Sequence, residues 1–196
     1  MNVTSRSAAA VGVVEHGNSA VLVTLSADRR LIDRRRIDLT HGLPTHPFHH
    51  EGSWAVGRYV DSPWARKISL PEAIALVERV RDAAALGASE ALEALARSIE
   101  SPIATLALRI CPPLPATIEA CIRDTRAANV ADSVMYREAL AAAAGSRGWR
   151  VLWYDRERVM TQAAHALVRE IGREAGPPWQ ARHKLAAAAA LASIAD

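Results

Sequence analysis

The run Ala10-Val11-Gly12-Val13-Val14, the turn Glu15-His16-Gly17-Asn18 and the second run Ala20-Val21-Leu22-Val23-Thr24-Leu25 form the most telling stretch of this chain. Short, continuous apolar runs rich in valine, broken by Gly and Asn, read as buried strands joined by a tight turn. Ser26 to Arg29 is a second turn, and Arg30 to Leu39 continues as an extended segment with mixed alternation. The opening third is therefore read as a three-stranded antiparallel meander.

Helical signals begin later. Ser69-Leu70-Pro71-Glu72 carries an N-cap serine, an early proline and an acid in the first turn. Ile74, Val77, Val80 and Ala84 then recur with helical spacing. Gly87 is expected to break this helix, with a second piece from about Ser89 to Ser98. Ile103 to Ile110 reads as a fully apolar strand closed by Cys111-Pro112-Pro113-Leu114-Pro115. Helices are expected over 116–128 and 132–144, a strand over Val151–Tyr154, and helices over 160–174 and 179–194. The last has a small-residue face built from alanines. The order β-β-β-α-β-α-β-α-α implies a mixed sheet covered on both faces, an α/β architecture.

Composition bounds the rest. A chain of 196 residues with half of them apolar fits a single domain over 1–196. Residues 1–7 are expected to fray, and 40–68 form a His/Trp/Pro-rich loop insertion. A net charge of +3 permits a polyanionic partner without requiring one. Lys67 and Lys184 are the only lysines among 24 cationic side chains. Arginine suits bidentate phosphate contacts, although a GC-rich coding sequence produces the same bias. Cys111 and Cys121 imply no disulfide framework, which points to a reducing cytoplasm. No stretch reads as a signal peptide or a membrane span.

The order of elements resembles the ribonuclease H-like fold, and most of all its bacterial Holliday-junction resolvase (RuvC-type) branch. Val11-Gly12-Val13-Val14-Glu15-His16-Gly17 stands where that family has a strand ending in Asp-Pro-Gly. Tyr136-Arg137-Glu138-Ala139-Leu140 through Trp149-Arg150-Val151-Leu152-Trp153-Tyr154 matches its helix followed by strand five. Trp179-Gln180-Ala181-Arg182-His183-Lys184-Leu185-Ala186-Ala187-Ala188 occupies the place of its Asp-x-x-Asp-Ala-Leu-Ala helix. The resemblance implies phosphodiester hydrolysis by three or four carboxylates holding two magnesium ions. This chain departs from that pattern. Glu15 replaces the first Asp, Leu108-Arg109-Ile110-Cys111 stands where strand four carries an acid, and the final helix offers Arg182, His183 and Lys184. A degenerate nuclease centre is the expectation.

Four of the seven histidines crowd into ten residues, as His41, His46, His49 and His50, with Glu51 next. The candidate metal ligands are His46, His49, His50 and Glu51, and imidazole favours zinc, manganese or iron over magnesium. The competing reading is a polar loop whose histidines cap backbone groups or pack on Trp54. Glu15 and His183 are the candidate catalytic pair. Arg34, Arg36, Arg109, Arg182 and Lys184 are candidate nucleic-acid contacts. Against that, Asp28, Asp33 and Asp38 dilute the basic third strand, which also reads as a solvated edge. Two functions remain. One is a nucleic-acid-associated or protein-binding module that has lost the two-metal centre. The other is a metal-dependent phosphoesterase or nuclease with a rebuilt Glu/His site. Catalysis is left open, and so is a homodimer.

Overall fold

The computed structural model describes residues 8–49 and 68–195. The expected site residues His50 and Glu51, along with Trp54 and Trp64, lie outside the described residues. Five strands form one sheet: β1 (Ala9–His16), β2 (Ser19–Leu25), β3 (Leu31–Asp38), β4 (Ile103–Arg109) and β5 (Arg150–Tyr154). Their order is β3-β2-β1-β4-β5. The first three are antiparallel neighbours, while β4 pairs parallel with both β1 and β5. This is the mixed sheet the sequence pattern predicts. β1 and β2 are almost wholly buried because the sheet is covered on both faces.

One face is covered by α1 (Leu70–Ser98), α2 (Ile118–Arg123) and α3 (Thr125–Gly145), which pack on Val11, Val13, Leu22, Leu106 and Leu108. The other is covered by α4 (Arg156–Val159), α5 (Gln162–Ala175) and α6 (Ala181–Ala195), which pack on Val21, Val23, Leu25, Ala107 and Tyr154. The alternation of β1 thus sends Val11, Val13 and Glu15 toward α3, and Gly12 toward α6.

Two glycines locate helices. A Cβ on Gly12 would collide with the Ala186 carbonyl, so its absence lets α6 lie directly on β1. Ala186 to Ala190 are all fully buried there. Gly87 does not break a helix, contrary to the sequence expectation. It sits inside a continuous α1, where a Cβ would strike the Leu39 carbonyl. A glycine costs about 1 kcal/mol of helix propensity; here the close approach of the chain after β3 requires it. The capping box at Ser69 and Glu72 forms as expected. The expected helix over 116–128 is divided at Asp124, whose carboxylate caps α3 through the Arg126 and Ala127 amides. No helix among the described residues is long and apolar enough to cross a membrane.

Candidate functional site

The carboxyl ends of β1 and β4 meet beside the middle of α3. Glu15, at the end of β1, accepts a hydrogen bond from the Arg137 guanidinium of α3. Both side chains are only 7% exposed. The other terminal nitrogen of Arg137 donates to the Ile110 carbonyl just past β4, at 3.1 Å. Burial works against the Arg137 charge, but the Glu15 hydrogen bond and charge outweigh it and raise its pKa. One guanidinium therefore ties the ends of two neighbouring strands together. Its Nε is buried without a hydrogen-bond partner.

A second buried acid on α3 organises the histidine loop. Asp132 accepts from the Phe48 amide at 3.0 Å, and its other oxygen lies 3.6 Å from His46 Nδ1. One turn on, the Tyr136 hydroxyl donates to the Thr45 carbonyl at 3.0 Å. The Gly17 turn abuts Thr45 and His46. The structure thus brings His46 to the tip of the first hairpin. Asp132, Tyr136 and Arg137 were not assigned to a site from sequence. Their signal was present: polar and charged groups placed on an alanine-rich helix face that must be buried require partners.

Other candidates lie elsewhere. Glu15 belongs to the α3 face, whereas His183 stands on α6 across the sheet, so these two do not form a catalytic pair. His183 stacks on Trp179 with ring centroids 5.8 Å apart. Its Nδ1 accepts from the Gln180 amide at 3.2 Å. Burial first, and the Arg34 charge second, lower its pKa. Arg34 donates to the carbonyls of Gly176, Pro177 and Pro178 at 2.7, 3.0 and 2.8 Å. Its donors are spent on these carbonyls of the segment before α6. Arg36 is exposed and pairs with Asp38 at 3.2 Å. Arg182 and Lys184 are exposed in the first turn of α6, and His49 is half-buried.

Arg109 ends β4 and opens onto a cleft of about 860 Å³ along the carboxyl edge. Arg137, Ser133, Cys111 and the Asp155–Arg156–Glu157 start of α4 also line it. Asp155 is occupied as the N-cap of α4, accepting from the Glu157 and Arg158 amides. Burial pushes the Cys111 thiol up against the lowering pull of Arg137, so it stays protonated near neutrality. Tyr154 closes the sheet edge from below, donating to the buried Val13 carbonyl at 2.9 Å. Burial raises its hydroxyl well beyond its ordinary range.

Among the described residues, the donors at this edge do not fit two divalent ions. The carboxylate at the end of β1 is already bound to a guanidinium, β4 ends in Arg109, and α6 begins with Arg182, His183 and Lys184. Among the described residues no three His, Cys, Asp or Glu side chains converge as a metal group requires.

No family model and no curated protein matches the chain. It is similar to a solved structure of Thermus thermophilus RuvC in complex with a Holliday junction substrate. The two are 13% identical over 94% of this chain and 90% of that one, with a TM-score of 0.52. A second Thermus thermophilus RuvC structure is 14% identical over 93% and 91% of the two chains, with a TM-score of 0.46. The first likeness is one of fold, the mixed five-stranded sheet with helices described above.

Proposed function

We propose that this chain, with its ribonuclease H-like fold of RuvC-type topology, is a nucleic-acid-binding module whose carboxyl edge no longer performs two-metal hydrolysis. The observation that carries the reading is the buried Glu15–Arg137 pair. It occupies the end of β1, where the resemblance places the first catalytic acid. A carboxylate neutralised by a guanidinium in a buried setting is a poor ligand for a second cation. Arg109 and Arg156 are exposed and flank the cleft. They suit phosphate oxygens of a nucleic-acid backbone.

The test is binding of a four-way junction, a duplex and a single strand, read by fluorescence anisotropy in EDTA and again with Mg²⁺. The four-way junction is chosen because the similar structure holds a Holliday junction. Salt-sensitive binding without cleavage is expected in both buffers. Arg109→Glu combined with Arg156→Glu should weaken binding roughly tenfold and lower the salt slope by about two phosphates. Mg²⁺-dependent cleavage by the wild type, or no binding at low salt, sinks the reading.

A second reading is a metal-dependent phosphoesterase or nuclease with a rebuilt Glu/His site. It draws on His46 lying beside Asp132 at the hairpin tip. Cleavage supported by Mn²⁺ or Zn²⁺ and lost in His46→Ala would favour it over the binding module.

A further inference from the structure

We infer that the Arg137 guanidinium is the resident counter-cation of the carboxyl edge, performing there the neutralising and strand-bridging task of a divalent ion. The inference rests on the non-hydrolytic reading above and deepens it. A cation at this position must do two things: neutralise the acid that ends β1, and hold that strand end to the neighbouring end of β4. Arg137 does both. One nitrogen binds Glu15, and another binds the carbonyl of Ile110, the residue after β4. It arrives from α3, whose residues pack in the same core as Val11, Val13 and Leu108, so the cation is delivered by the fold and not by solution.

Two of the acids nearby have other duties, while Glu157 of α4 lines the cleft itself. Asp132 is committed to the Phe48 amide and His46, and Asp155 caps α4. Neither is spare to recruit a metal beside the guanidinium. Remove the Arg137 side chain, however, and the Glu15 carboxylate and the Ile110 carbonyl are left as two hard oxygen donors. They would face a space that opens onto the cleft. Oxygen donors with room for water are what Mg²⁺ and Mn²⁺ accept.

The experiment uses the full chain as wild type, Arg137→Lys, Arg137→Ala and the double variant Glu15→Gln/Arg137→Ala. Thermal unfolding is followed in EDTA and in saturating Mn²⁺, and Mn²⁺ binding is measured by calorimetry. The wild type and Arg137→Lys should unfold at the same temperature in both buffers. Arg137→Ala should unfold lower in EDTA and gain roughly 5–10 °C with Mn²⁺, bound one to one. The double variant should gain nothing. A purely structural role for Arg137 predicts no Mn²⁺ gain that depends on Glu15, and that result overturns the inference. So does Glu15-dependent Mn²⁺ binding by the wild type. If Arg137→Ala fails to fold in EDTA, recovery of fold in Mn²⁺ supports the inference. Failure in both buffers passes the decision to Arg137→Gln, which keeps more of the side-chain volume and carries the same two outcomes. Junction binding by the wild type is scored separately, so either result can fail alone.

Discussion

Arg34 on β3 and Arg137 on α3 both give their guanidinium donors to oxygens of the protein itself, yet they meet different partners. Arg34 crosses from the outer strand to the loop before α6 and finds three neutral carbonyls, two of those contacts exposed. Arg137 finds a buried carboxylate and a carbonyl at the end of β4. The first is a tether that water can largely replace. The second is a desolvated charge pair in which each member depends on the other, because an isolated buried charge is costly. The outer flank of the sheet therefore tolerates change, and its carboxyl edge does not.

The sharpest way to break this contrast is to remove one member of the buried pair. Arg137→Met should cost about 3–5 kcal/mol in urea unfolding, by stranding Glu15. Adding Glu15→Gln should recover most of that loss. A single variant no weaker than the double would mean that the pair is not coupled. Next in size, Arg34→Ala should cost about 1–2 kcal/mol, since three carbonyls lose charged donors but regain water. Junction affinity should stay unchanged; a large drop would return Arg34 to the ligand surface.

A smaller effect concerns pH. His183 has a lowered pKa in the folded chain, so near and below its ordinary value of 6.5 the unfolded chain binds the proton more readily. Stability should therefore decline as pH falls through that region and level off below the folded value. Denaturation midpoints of the wild type and His183→Gln at mildly acidic and neutral pH check this: the variant should lose that part of the slope. Last, Arg36→Ala should change stability by no more than about 0.5 kcal/mol, because its pair with Asp38 is exposed and screened. A larger cost would show that the flank is not merely a solvated edge.

Sequence reading succeeded where periodicity and turn chemistry act locally. The hairpin at Gly17, the capping box at Ser69 and the alternation of late strands and helices all follow from neighbours in the chain. It failed at Gly87, where a helix-weakening residue is kept because another segment passes within contact distance. It also linked Glu15 to His183. They approach a common edge in a topological sketch, but the pleat of β1 sends Glu15 to the α3 face while α6 lies on the other.

By itself, then, the amino-acid order determined the meander, the later α/β alternation and the crowding of histidines into one segment. Those are properties of spacing and composition. Only the tertiary structure decided what each charge answers to. Arg137, 122 positions from Glu15, became its partner because α3 packs over the end of β1. Partner choice is set by distance and burial in three dimensions, and no local pattern encodes either.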